Sequence, residues 1–206
     1  MQFILTSSSS LVAASWLQHL PFSPKGAKAV FIDTAGDMYN KAEEEWLQVD
    51  RRALVDAGFS ISDYSLVGKS QSQLLAELAE INLIFVAGGN TFYLLEHAQK
   101  SGFVELIREN AFSKAVYVGS SAGSVILSDD IDAIQFLDDP KKASLTTTKA
   151  IGLYHSLIFP HWGSPHFTSK YADAFKYIYT HNISVTTLTD QQYIVGDGTS
   201  FTIHSV

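Results

Sequence analysis

Short apolar runs alternate with polar breaks along this chain, and two periods of hydrophobicity can be read. Phe3–Leu5, Ala27–Ile32, Leu83–Val86 and Ala115–Val118 are near-continuous apolar runs rich in β-branched and aromatic residues, the pattern of strands buried on both faces. Phe59–Leu66 alternates weakly and reads as a further strand. Ile151–Pro160 contains another, and Ser184–Leu188, Tyr193–Val195 and Ser200–Ile203 are late strands. Between them the spacing changes to that of helices. Over residues 39–57, Ala42, Trp46, Val49, Ala53 and Ala57 share one helical face, with Glu43, Glu44, Asp50 and Arg51 elsewhere and Gly58 as the stop. The acidic cluster Glu43–Glu45 reads as a solvated first turn. Ser70 and Gln73 form a capping box that opens a helix through Leu74, Leu75 and Leu78. Asn90 is placed to cap a helix over Phe92–Gln99 that Gly102 closes, and a further helix is expected at about Val104–Phe112. Tyr171–Thr180 is the last helical segment. Near the start, one serine of the polar loop Ser7–Ser10 is expected to cap a helix carrying Leu11, Trp16 and Leu17.

Strands that alternate with helices predict an α/β fold of three layers: a mostly parallel sheet with helices on both faces. The last two strands, joined through Gly196–Thr199, predict an antiparallel hairpin at one edge. No internal repeat or composition break divides the chain, so a single domain over 1–206 is expected. The stretch Asp129–Lys149 is irregular and long for a connection, which predicts that it flanks a site.

Composition narrows the function classes. The 206 residues are 46% apolar and 17% charged with a formal net charge of −7, an ordinary globular balance without a basic stripe. Nucleic acid and anionic membrane are therefore not expected partners. The chain has no cysteine, which excludes disulfides, thiolate catalysis and cysteine metal sites. Met1–Thr6 lacks a basic leader and reads as a strand, and no apolar run nears the roughly 20 residues of a membrane span, so the cytoplasm is the expected compartment.

The candidate chemistry lies where strands end. Gly119, Ser121 and Gly123 form G-x-S-x-G directly after an apolar strand, with small neighbours at Ser120, Ala122 and Ser124. A strand that turns at once into a helix passes through a sharp corner, which pushes the serine hydroxyl outward and leaves the next amide free for an oxyanion. The bland reading is a tight turn or a phosphate cradle; a P-loop is disfavoured because no Gly-Lys-Ser/Thr follows. A nucleophilic Ser121 needs a base, and His161 directly follows an apolar strand, whereas His166 lies deeper in a loop. The other five histidines read as surface or edge positions. Gly88-Gly89 precedes a helix, so the Gly89 amide can join that of Ala122 in an oxyanion hole. The third member of a triad is left open by position: Asp190 lies between late strands, and Asp132, Asp138 and Asp139 follow the elbow.

Phe85-Val86-Ala87-Gly88-Gly89-Asn90-Thr91-Phe92-Tyr93-Leu94-Leu95, the elbow Gly119–Ser124 and Pro160-His161-Trp162 together resemble the dipeptidase E (aspartyl dipeptidase) family of serine peptidases, relatives of cyanophycinase. The resemblance extends over nearly the whole chain. It implies a class I glutamine amidotransferase-like fold, Ser121 as nucleophile, His161 as base, Gly89 and Ala122 as oxyanion donors, no metal or cofactor, and a short peptide as substrate. It favours Asp190 as the acid, at a late turn. The family's Gly-His-Lys-Gly-Glu-Thr-Arg-like run after the histidine, associated with an acidic N-terminal residue, is replaced here by the shorter Ser164–Tyr171, with Lys170 as its one cation. Other readings of the same residues are an esterase or amidase acting on another small acyl substrate, and a binding protein that keeps the elbow without chemistry.

Overall fold

The computed structural model describes residues 1–40 and 45–206. Seven strands form one sheet: β1 (Gln2–Thr6), β2 (Lys28–Ile32), β3 (Ser60–Tyr64), β4 (Leu83–Val86), β5 (Val116–Ser120), β8 (Gln192–Gly196) and β9 (Phe201–Ser205). Their order is β3-β2-β4-β5-β1-β8-β9. The first five are mutually parallel, β8 runs antiparallel to β1, and β9 antiparallel to β8.

The apolar runs are buried because the sheet has no free face over its centre. Alternate residues of each run enter different cores. Phe3, Leu5, Val30, Ile32, Ile84, Val86 and Tyr117 face one side, together with helices α3 (Gln71–Glu77), α4 (Thr91–Ser101), α5 (Phe103–Arg108), α6 (Ala122–Val125) and α7 (Thr168–Thr180). Ile4, Ala29, Phe31, Leu83, Phe85, Val116 and Val118 face the other, under α1 (Ala13–Trp16) and α2 (Glu45–Ala57). This is the period-two alternation of a sheet between two helical layers, and the expected three-layer α/β architecture with its antiparallel edge is the observed one.

The capping signals act as read. Ser70 and Gln73 form a reciprocal capping box, Asn90 accepts from the Tyr93 amide, and Gly102 ends α4 in the left-handed conformation. Three expectations change. The segment after Ser7–Ser10 breaks into short 3-10 and α turns, and no serine side chain caps them; the Ser7 hydroxyl donates to Asp190 and the Ser9 hydroxyl accepts from Trp16 instead. Of the helix expected over 39–57, Tyr39 and Asn40 are not helical and Glu45–Ala57 is, while residues 41–44, with Ala42, Glu43 and Glu44, lie outside the described residues. Its buried stripe is Leu47, Asp50 and Leu54, while Trp46 and Val49 are exposed. Finally, β6 (Leu157–Phe159) and β7 (Val185–Thr187) do not join the main sheet but pair with each other in parallel.

Candidate active site

The elbow is built by close approach. Ser121 follows the last residue of β5 at φ 48°, ψ −110°, a conformation that L-residues rarely adopt. Its neighbours are small for a steric reason. A Cβ on Gly123 would stand 2.0 Å from the Val86 carbonyl oxygen, and one on Gly119 would stand 2.6 Å from the Gly123 backbone. Only glycine lets α6 turn back onto β4 and β5. The corner is fastened by the Ser121 amide, which donates to the Thr6 carbonyl at 3.0 Å, and by the Ser124 hydroxyl, which donates to the carbonyls of Thr6 and Gly119 at 2.8 and 2.9 Å.

The Gly88-Gly89 turn at the end of β4 lies against the serine: a Cβ on Gly88 would stand 3.3 Å from that of Ser121. Gly89 has φ 136°, and a Cβ there would stand 2.2 Å from the Ala35 carbonyl oxygen, so the loop after β2 and the loop after β4 meet backbone to backbone. Asn90 then donates its amide to the Ala35 carbonyl at 2.8 Å. Among the described turn, loop and cap hydrogen bonds, the amides of Gly89 and Ala122 have no carbonyl partner.

His161 follows β6 and reaches the elbow from the small second sheet. Its Nε2 is 2.9 Å from Ser121 Oγ, and its Nδ1 is 2.7 Å from Asp190 Oδ1. Burial alone would raise the Asp190 pKa, but hydrogen bonds from His161 and Ser7, with the attraction of His161, outweigh it and hold the carboxyl below its usual value. An ionised Asp190 can only accept, so Nδ1 carries the proton and Nε2 is left to accept from the serine hydroxyl. The other candidate acids are engaged elsewhere. Tyr177 donates to Asp132; the Thr91 amide and hydroxyl donate to Asp138 Oδ2 at 2.9 and 2.6 Å; and Asp139 accepts from the Lys141 amide at 3.0 Å.

Ser7 is a member of this cluster that sequence reasoning placed only in a polar loop, one of whose serines was expected to cap a helix. Its hydroxyl donates to Asp190 Oδ1 at 2.7 Å and accepts from the His161 amide at 2.7 Å. Ser7 directly follows β1, whose neighbours β5 and β8 bring Ser121 and Asp190 to either side of it. His161 itself has φ 60°, and that conformation is secured by Ser7 on its amide and by the Tyr171 hydroxyl on its carbonyl. Phe167 stacks on the imidazole, with centroids 4.8 Å apart and planes within 7°.

In front of the serine lies a cavity of about 310 Å³, walled by Tyr39, Trp46, Asp50, Asp138, His166 and Phe167 among others. The irregular stretch 129–149 flanks it through Asp138, as its length suggested. No lysine or arginine lines the cavity among the described residues. Lys170, the one cation after His161, donates to the Leu137 carbonyl at 2.8 Å and lies over the Phe167 ring. Burial pushes the carboxyls of Asp50 and Asp138 above their usual range, against the hydrogen bonds each accepts. Tyr39 is pushed up to about 12 by burial and by the charge of Asp138.

The family model for peptidase family S51 matches residues 3–204. The chain belongs to peptidase family S51. Among its relatives is an uncharacterized peptidase of Listeria innocua, 33% identical over 165 residues that make up 78% of each chain. A peptidase E of Salmonella paratyphi C is 28% identical over 181 residues, which is 85% of this chain and 73% of the other. In three dimensions, a crystal structure of a protein put forward as a peptidase E of Listeria monocytogenes matches with a TM-score of 0.88 and 25% identity, covering 100% of this chain and 98% of that one. As an S51 member this chain is a serine-type peptidase on the peptidase E, class I glutamine amidotransferase-like fold. Among the described residues, no helix is long and apolar enough to cross a membrane.

Proposed function

We propose that this S51 peptidase hydrolyses short peptides through a Ser121–His161–Asp190 triad at the elbow. The observation that carries the reading is the unbroken relay from Ser121 Oγ to His161 Nε2 at 2.9 Å and from His161 Nδ1 to Asp190 Oδ1 at 2.7 Å. His161 takes the hydroxyl proton as Ser121 Oγ attacks the scissile carbonyl. The oxygen of the tetrahedral intermediate is held by the amides of Gly89 and Ala122, which have no other carbonyl to satisfy among the described bonds. His161 passes the proton to the leaving amine, and the C–N bond breaks to leave an ester on Ser121. Water then attacks this ester with His161 again as base, and the acid product leaves. Asp190 stays ionised, fixes the imidazole tautomer and stabilises the imidazolium in each half-reaction.

The cavity does not support a strict preference for N-terminal aspartate. A carboxylate side chain there would meet Asp50 and Asp138 with no lysine or arginine among the described residues to compensate it. Lys170 is occupied, and a point charge does not reproduce a planar bidentate clamp. The test is kcat/KM on dipeptides. Ala-Leu is hydrolysed by the wild type and not by Ser121→Ala, and Asp-Leu is no better a substrate than Ala-Leu. Equal turnover by Ser121→Ala refutes the nucleophile. A preference for Asp-Leu of about a hundredfold, near 2.7 kcal/mol of transition-state binding, refutes the specificity.

A further inference from the structure

Asp50 is a carboxylate in an unusual place. It lies on the buried stripe of α2, is only 5% exposed, and yet forms part of the cavity wall. Its Oδ1 accepts from the Ser10 amide at 2.8 Å, and it stands within hydrogen-bonding range of the Ser120 hydroxyl, one residue before the nucleophile. Among the described residues it forms no ion pair, and the next residue along, Arg51, is committed to Asp63 on the exterior. The four residues outside the description, 41–44, bring one lysine against two glutamates, so the sequence there adds no net positive charge. A buried carboxylate without a counter-ion is costly, and a single substitution would remove the cost. Its position beside the nucleophile gives a reason for keeping it.

A second observation lies beside it. Trp46 and Tyr39 meet edge to face, 5.2 Å between centroids at 84°, and both line the same cavity with more than a third of their surface exposed. Aromatic walls with an acidic floor suit a cation on an apolar stem: the rings cover the methylenes and attract the charge, and the carboxylate pairs with it.

Resting on the serine-peptidase reading, we infer that the cavity is a specificity pocket for a basic residue, in which Asp50 pairs with the side-chain ammonium or guanidinium of a lysine or arginine on the acyl side of the scissile bond. A side chain fits this position better than the peptide's own N-terminus does. The α-ammonium is held two bonds from the scissile carbon, whereas the hydrogen bonds of Asp50 run to Ser10 and to the Ser120 hydroxyl, on the residue before the nucleophile. A lysine ammonium, at the end of four methylenes, reaches farther from the scissile carbon than the α-ammonium does.

The test compares Lys-Leu, Arg-Leu, Ala-Leu and Asp-Leu on the same preparation, with fluorophosphonate labelling as the check on the nucleophile. The wild type should prefer Lys-Leu and Arg-Leu over Ala-Leu by about tenfold or more in kcat/KM. In Asp50→Asn, which keeps an acceptor for the Ser10 amide, that ratio should fall to near one. Labelled wild type without a preference for the basic dipeptides overturns the inference and leaves the peptidase reading intact. So does a ratio that survives in Asp50→Asn, since a merely structural Asp50 would lower both substrates together. If α-ammonium pairing is the true role, acetylating the N-terminus of Ala-Leu would cost as much as removing the lysine side chain, which also overturns it. Unlabelled, inactive wild type refutes the peptidase reading and this inference with it.

Discussion

His161 is held on every side: Ser7 on its amide, Tyr171 on its carbonyl, Asp190 on Nδ1, Phe167 on its face and Ser121 at Nε2. Acting as the proposed base, a side chain so fixed has little orientation left to lose on reaching the transition state. His161→Ala should therefore lower kcat/KM by roughly 10²–10⁴-fold, and His166→Ala by less than about tenfold, measured on one dipeptide. The reverse order would exchange their roles. Ser7→Ala removes a hydrogen bond that lowers the Asp190 pKa. Asp190 should then protonate at higher pH, so the acid limb of the kcat profile should move upward while KM changes little; an unmoved limb would reduce Ser7 to a structural residue. Ser121 and His161, which the structure brings together, could be picked out as candidates from sequence because each follows an apolar strand in a short local pattern. Asp190 was selected only with the help of resemblance, since several aspartates occupy turns. Ser7 was not legible at all. A serine in a polar loop reads as a cap, and its role arises only when β1 is laid between β5 and β8.

At the scale of elements, the site depends on how closely turns can pack. A Cβ on Gly123 would meet the Val86 carbonyl oxygen at 2.0 Å, and the Val86 backbone is fixed in the centre of the sheet. Gly123→Ala should cost about 3 kcal/mol or more in urea unfolding. Gly68→Ala, at φ 71° with open space around the new methyl, should cost only about 1 kcal/mol. Equal costs would mean that the elbow packing is not what requires glycine. Most strands and caps were legible here, because a strand buried on both faces must be apolar throughout and a cap needs only its own side chain. Two features were not. Apolarity identifies β6 as a strand but carries no information on its partner, so its pairing with β7 outside the main sheet could not be read. In α2, the stripes 46/49/53 and 47/50/54 are both helical, and counting apolar residues favours the first. The sheet buries the second, with Asp50 in its middle, and turns Trp46 into the cavity.

For the whole molecule, acidity has opposing effects on stability. Asp50 and Asp138 have raised folded-state pKa values, so their contribution is fully present below the unfolded carboxylate value of about 4 and is lost as pH rises through the folded value. Asp190, with a lowered value, contributes above the unfolded pKa and loses that contribution as pH falls through the folded one. Asp50→Asn should therefore be more stable than the wild type at neutral pH and gain nothing near pH 3, as read by urea unfolding at both. A loss at neutral pH would mean that the charge is compensated within the fold. The three-layer fold was legible at this scale from the alternation of strands and helices, whereas the charge of the cavity was not, because Asp50 and Asp138 meet in it from segments far apart in sequence. The central claim is that Ser121 is the activated nucleophile, and it is tested most directly by mapping the adduct of a fluorophosphonate probe on the native enzyme by peptide mass spectrometry. A single adduct on Ser121, absent from Ser121→Ala and suppressed in His161→Ala, is the predicted result. An adduct on Ser7, Ser120 or Ser124 instead, or none on the folded wild type, would contradict it.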